Sequence, residues 1–169
     1  GRFMPRQRAA YDAVLAANRA SVERVRAGQP YREVHLASAR VLAAFCVDEG
    51  LLRGSPEGLV EQGAHAVFFP HGVGHLLGLD VHDLELYGDA AGYAPGRSRS
   101  EQFGLGFLRL DRDLEPGTLV TVEPGFYVVP AILADRGLRE RLGSAVDWAA
   151  AERWIGFGGI RIEDDIAVS

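Results

Sequence analysis

A chain of 169 residues, 47% of them hydrophobic, is long enough to bury one core and form one domain. A formal charge of -5 with no lysine- or arginine-rich run excludes the electrostatic footprint of a nucleic-acid or anionic-membrane binder, and no apolar stretch approaches a membrane span or a signal-peptide core. The single cysteine, Cys46, excludes an internal disulfide framework and fits a reducing, cytoplasmic setting; in the apolar run 41–46 it reads as a core thiol rather than a nucleophile.

In chain order, Tyr11, Val14, Leu15, Val22 and Val25 predict an amphipathic helix over 6–26, interrupted by Asn18, with Pro5 suited to its first turn and Gly28 to its stop. A second helix follows from Pro30, with Val34, Ala37, Val41, Leu42 and Phe45 as its buried stripe and Gly50 beyond its end. Short β-prone runs at 66–69, 119–122, 126–129 and 160–163, separated by glycine- and proline-rich turns, predict strands. Residues 83–108 are rich in Gly, Ser, Asp and Tyr with little periodicity, and read as a long excursion over the surface or across an active site. Residues 130–141 look helical, and Asp147 is placed to cap a short helix through Trp154. The sum is an α+β chain, and antiparallel strands are favoured because full strand-helix-strand crossovers are scarce.

Three of the five histidines fall in or just after one run, Phe69-Pro70-His71-Gly72-Val73-Gly74-His75-Leu76-Leu77-Gly78-Leu79-Asp80-Val81-His82-Asp83. Gly72 and Gly74 argue against a helix there and for a backbone that turns tightly or approaches a ligand or strand closely. Imidazoles so grouped can divide ligand and substrate-contact roles, with His75 as the metal ligand and His71 and His82 as contacts to substrate. The bland alternative is hydrogen-bonded core or turn histidines, and His35 and His65 are assigned to surface or packing.

Glu123 sits where a β-branched strand meets Pro124-Gly125, so its carboxylate is fixed by the sheet yet free to enter a cleft. In Gly159-Ile160-Arg161-Ile162-Glu163 alternation puts Arg161 and Glu163 on one face, where the arginine would keep Glu163 ionised and oriented. His75, Glu123 and Glu163 together form a candidate metal shell that is thin for two divalent ions; nothing in the spacing of Asp80, Asp83, Asp164 or Asp165 selects them to fill it. Arg109 has two readings. It is either a bidentate grip on a free substrate carboxylate or a surface ion pair with Asp111 or Asp113.

The histidine run, Leu114-Glu115-Pro116-Gly117 with Thr121-Val122-Glu123-Pro124-Gly125, and Phe157-Gly158-Gly159-Ile160-Arg161-Ile162-Glu163-Asp164 together resemble the pita-bread (creatinase/aminopeptidase) metallopeptidases. That is the family of methionine aminopeptidase, aminopeptidase P and prolidase, and the prolidases are the nearest resemblance. The resemblance implies a curved, mostly antiparallel sheet covered by helices. It also implies a dinuclear centre of two divalent ions, manganese first with zinc or cobalt as alternatives, held by two aspartates, one histidine and two glutamates. His75, Glu123 and Glu163 match the last three. The aspartates of these enzymes lie on a hairpin upstream of a segment like 1–8, so residues 1–169 are expected to be the C-terminal part of the catalytic domain. An N-terminal portion would be the partner supplying the aspartates, the complete protein would be a homodimer, and half a sheet alone would expose a long apolar edge.

By the same resemblance the activity is hydrolysis of the Xaa-Pro bond in dipeptides. Glu123 would pass the water proton, Glu163 would bridge the ions, His71 and His82 would contact the substrate carbonyl, Arg161 would orient the catalytic groups, and Arg109 would hold the proline carboxylate. Two other readings stand beside it. One is aminopeptidase P-like removal of the first residue from longer peptides with proline second; the other is a non-catalytic binding module that keeps the fold and has lost the metals.

Overall fold

A computed structural model describes residues 2–83 and 85–169; Gly1, and Leu84 within the expected excursion, lie outside the described residues. The first helix, α1 (Pro5–Val22), has Pro5 in its first turn as expected but ends before residue 26, where turn bonds from Arg24 N–H to Ser21 O and Val25 N–H to Val22 O tighten the chain. It packs on α2 (Tyr31–Asp48), and the buried Ser21 and Ser38 hydroxyls meet between them at 2.5 Å. A helix outside the sequence expectation, α3 (Pro56–Glu61), is capped by Ser55, whose hydroxyl accepts from Gly58 N–H at 3.2 Å.

Residues 66–69 are not the strand the sequence suggests. They finish a 3-10 turn at Ala64–Val67 and continue as irregular backbone, with Phe68 and Phe69 fully buried. A run apolar on every side carries no alternation, which is why it could not be told from a strand. The excursion is likewise more ordered than expected: it holds single helical turns at Glu85–Tyr87, α4 (Asp89–Gly92) and Leu105–Phe107. It is pinned by Tyr93 Oη donating to Leu108 O at 2.7 Å and by Arg97–Asp113 and Arg99–Asp89 ion pairs at 2.6 Å each.

The strands follow: β1 (Leu119–Val122) and β2 (Gly125–Tyr127), then the helices α5 (Pro130–Leu133), α6 (Arg136–Leu142) and α7 (Trp148–Glu152), then β3 (Gly159–Arg161) and β4 (Asp164–Ala167). The helix expected over 130–141 breaks at Asp135, whose carboxylate accepts from Leu138 N–H at 2.8 Å and starts α6. Asp147 caps α7 as expected, accepting from Ala150 N–H at 2.9 Å. β4 was not foreseen, because Asp164 and Asp165 are poor strand formers.

Strand alternation sends Val120, Val122 and Phe126 into the core. Phe126 stacks on Phe68 at 5.6 Å and is met edge-on by Phe45, Trp154 and Phe157 at 5.2–5.5 Å. Truncating such a phenylalanine costs about 3–5 kcal/mol, so this cluster fixes which face of the strand points outward. Cys46 lies in the same core and burial raises its thiol pKa, consistent with the core-thiol reading. The outer strand β4 carries two exposed acids, so the long apolar edge expected of half a sheet is not found there. Among the described residues no helix is long and apolar enough to cross a membrane.

Candidate metal centre and substrate cleft

Both pairs of strands are antiparallel and share one register: Leu119 faces Ala167 and Val122 faces Asp164, then Gly125 faces Arg161 and Tyr127 faces Gly159. The ladder is interrupted at Pro124, which has no N–H to give; only its carbonyl takes part, accepting from Ile162 N–H at 3.3 Å. Carrying the register through the gap puts Glu123 opposite Glu163, on the face away from the Phe126 cluster. The stretch 73–77 runs along the other edge of β1, with Glu123 N–H donating to Val73 O at 2.7 Å and Thr121 N–H to His75 O at 3.0 Å. Three segments far apart in sequence therefore converge, and one ligand atom from each of His75, Glu123 and Glu163 lies within 4.8 Å of the others.

The glycines of these motifs make that approach possible. A Cβ on Gly74 would collide with the Thr121 carbonyl oxygen and the Tyr31 hydroxyl, so only glycine lets 73–77 lie against β1. Polar groups from the helices hold β1 from behind: Tyr31 Oη donates to Thr121 O at 2.5 Å and Asn18 Nδ2 to Val122 O at 3.2 Å, which explains the asparagine that interrupts the first helix's apolar pattern.

His75 Nδ1 donates to Leu76 O at 2.8 Å, so in the neutral ring the Nε2 lone pair faces Glu123 Oε1, 3.2 Å away. A lone pair and a carboxylate repel unless a proton or a cation stands between them. Burial pulls the His75 pKa down, but the Glu123 hydrogen bond, the Leu76 carbonyl and the charge of Glu123 outweigh it, and the net direction is up. The donor set of one imidazole and two carboxylates fits a divalent ion at that place. Burial pushes the Glu123 carboxyl up, yet His75, Arg161 and the Thr121 hydroxyl hold it below its usual range. Thr121 Oγ1 ties the pair together, accepting from His75 N–H at 3.0 Å and donating to Glu123 Oε1 at 3.1 Å. Glu163 is exposed.

Arg161 was expected beside Glu163, and its ion pair is instead with Glu123, Nη1 to Oε2 at 2.6 Å. The two strands face each other at this point, so the arginine reaches across the ladder rather than along its own strand. Arg161 Nε also donates to Tyr127 Oη at 2.7 Å, and that hydroxyl lies 3.1 Å from His71 Nε2. His71 Nδ1 donates to Gly72 O at 2.7 Å, leaving Nε2 as the acceptor for Tyr127. Burial lowers the His71 pKa, so the ring is neutral near pH 7.

Tyr127 is the member of this group that the sequence reading missed. Its ring lies in a slot above Gly125 and Gly159, where any Cβ would collide with it, and the signal was available in the alternation Glu123, Gly125, Tyr127 on one face.

His75, Glu123, Arg161, His71, His82 and Arg109 line one cleft of about 180 Å³, with Phe107 at its rim. The His82 ring crosses that of His75 at 4.4 Å and 84°, and its pKa is lowered by partial burial and by Arg109 and His75. Arg109 also lines an adjoining recess of about 480 Å³ with Pro70, His71, Glu85, Arg99 and Phe107. Its expected alternative partners are committed elsewhere: Asp111 to Arg32 at 2.5 Å and to Arg97, Asp113 to Arg97. Asp80, Asp83, Asp164 and Asp165, which nothing in the spacing selects, stand outside the three-residue cluster found among the described residues. His35 and His65 are fully buried, which fits packing rather than surface.

Residues 1–169 match the model of metallopeptidase family M24. The chain is 37% identical to the Homo sapiens Xaa-Pro dipeptidase over 169 residues, covering 100% of this chain and 33% of that protein. It is 42% identical to the Xaa-Pro dipeptidase of Xanthomonas axonopodis pv. citri over 155 residues, covering 92% and 34% respectively. A solved structure of zinc-substituted E. coli aminopeptidase P in complex with product is similar at a TM-score of 0.67 and 35% identity, covering 99% of this chain and 30% of that one. The chain thus spans about a third of the length of these relatives.

Proposed function

Because the chain belongs to metallopeptidase family M24 and has its pita-bread fold, we propose that it is the C-terminal part of the catalytic domain of a metal-dependent Xaa-Pro dipeptidase. The observation that carries this is the convergence of His75, Glu123 and Glu163, the first two lining a cleft in which Arg109 is not taken up by the acids beside it in sequence. His75 Nε2 and the carboxylates of Glu123 and Glu163 would hold divalent metal, with two further aspartates supplied by an N-terminal portion of the complete protein, itself a homodimer. When bound, two such ions, manganese first and zinc or cobalt otherwise, supply Lewis-acid polarisation of the scissile carbonyl and a lowered pKa for the attacking water.

The residues of this chain do the rest. Glu123, kept ionised by His75 and Arg161, accepts the water proton on a carboxylate oxygen and delivers it to the leaving proline nitrogen. His82 faces the cleft with no hydrogen bond among the described residues and is placed to donate to the substrate carbonyl as negative charge develops. His71 has both nitrogens engaged, so it acts on the substrate mainly through the Tyr127 hydroxyl it steadies. Arg161 fixes the angle of Glu123, and Arg109 takes the free carboxylate of the C-terminal proline through parallel hydrogen bonds.

The likeness to aminopeptidase P at a TM-score of 0.67 supports a second reading, in which longer peptides with proline second are the substrate. One experiment decides between them. The complete, manganese-loaded protein is given an Xaa-Pro dipeptide and the tripeptide that extends it by one residue. Faster cleavage of the dipeptide, with its KM raised about ten- to a hundredfold in Arg109→Ala, supports the dipeptidase. A strong preference for the tripeptide moves the assignment to the second reading, and no cleavage of either points to the non-catalytic binding module.

A further inference from the structure

Against Phe69, α2, α3 and the Ala64–Val67 turn bring together a second group of metal-ligating side chains. His35 and His65 are 0% and 1% exposed, and neither nitrogen of either ring makes a hydrogen bond of normal geometry among the described residues. Their ring centroids are 6.1 Å apart. Both rings line a pocket of about 270 Å³ that Glu57, Glu61 and Gln102 also line. Buried polar nitrogens are rarely left without partners, so four in one pocket call for an occupant.

The occupant's chemistry follows from the donors. Burial lowers both pKa values, that of His65 to about 4 against the opposing pull of the Leu59 carbonyl, so each ring offers a lone pair at neutral pH. Two imidazoles that share one ion at about 2.0–2.1 Å in a tetrahedral shell have ring centres roughly 5 Å apart, so these rings, 6.1 Å apart, would close by about 1 Å on an ion or hold it at a wider angle. Two arginines also line the pocket: Arg32, whose Nη2 meets Asp111 at 2.5 Å while its buried Nε has no hydrogen bond among the described residues, and Arg40, 3.9 Å from Glu33. Exposed Glu57 and Glu61 carry no ion pair among the described residues, so they can offset those arginines and turn toward a cation held by the two imidazoles.

We propose that His35 and His65 bind a divalent transition-metal ion of the zinc type at a site separate from the His75 centre, with water completing its shell and Glu57 or Glu61, which do not cluster with the two rings in this arrangement, turning inward to join it. His35 stacks on Phe69 at 5.1 Å and His71 meets the same ring at 5.0 Å, so one aromatic ring touches both sites.

The test is zinc titration of the complete protein beside its histidine variants, counted beyond the zinc that the His75 centre itself takes up in competition with manganese. The expectation is one further zinc equivalent, weakened roughly 100-fold or more in His35→Asn and in His65→Asn. Anomalous maps from zinc-soaked crystals of the unaltered protein, recorded on both sides of the zinc edge, decide the matter even where the variants do not fold. A peak between the two rings supports the site. Water alone in the pocket, or full zinc affinity retained by both folded variants, overturns it.

Discussion

The molecule holds two pairs of histidines in opposite settings. In the cleft, His71 and His75 each give the Nδ1 proton to the carbonyl of the next residue, Gly72 O at 2.7 Å and Leu76 O at 2.8 Å, and so present Nε2 outward in a fixed direction. In the pocket against Phe69, His35 and His65 are more deeply buried; His35 has no such anchor, and His65 has only the Leu59 carbonyl, outside normal hydrogen-bond geometry. The difference is one of backbone. The glycine-interrupted run 71–75 is irregular and leaves the carbonyl of the next residue within reach of each ring, whereas the carbonyls around His35 are spent within α2. Local backbone therefore decides whether a histidine is aimed for chemistry or left for an outside partner to satisfy.

The largest effect should come from the carboxylate that the first pair faces. Glu123→Gln keeps the shape of the side chain and its bond with Thr121 but removes the charge that His75 and Arg161 hold in place. Its expected cost in kcat is roughly 10²- to 10⁴-fold for any proline peptide, read by steady-state kinetics on the complete, metal-loaded protein. Activity within a few-fold of the unaltered protein would remove the distinction between an aimed pair and a silent one.

The second prediction uses pH. His65 in the folded chain titrates near pH 4 because burial disfavours its charged form, against 6.5 for an exposed ring. Between those values the unfolded chain binds a proton that the folded chain refuses. Its contribution is complete above pH 6.5 and is lost as the pH falls toward 4, by up to about 3 kcal/mol. His35 acts in the same direction. Urea unfolding with chelator present should show this slope, and His65→Leu should flatten it. An equal slope in both proteins would mean that the buried pair is not held neutral.

Much of this contrast was legible in the sequence, and the rest was not for identifiable reasons. The stripes of the two long helices, β1 and the turn at Pro124-Gly125 follow from periodicity and turn chemistry, and alternation alone places Arg161 and Glu163 on one face. What alternation does not reveal is which residue lies across the ladder, so the partner of Arg161 was misjudged. The run 66–69 is buried on every side and has no period to read. His35 sits among the apolar positions of α2, where a lone histidine reads as packing; its proximity to His65 arises only when α2, α3 and the turn meet.

The smallest predicted effect falls on the hydroxyl that links the aimed pair to Arg161. Tyr127→Phe keeps the ring in its slot above Gly125 and Gly159, so the fold should be unmoved. It removes one acceptor from Arg161 Nε and the nearer of two donors facing His71 Nε2, leaving Arg161 Nη2 at 3.4 Å. A single hydrogen bond to a charged group is worth about 1.5 kcal/mol at the lower end, which predicts about a tenfold fall in kcat. Direction can be checked as well as size, because a donor to Nε2 stabilises the neutral ring and its loss lets the His71 pKa rise from its lowered value. The acid limb of kcat/KM should then move to higher pH in Tyr127→Phe. A tenfold fall with an unmoved limb would place the hydroxyl's effect on Arg161 and Glu123 alone, and the comparison would narrow to His75 as the one histidine aimed by its backbone and answered by a charged partner.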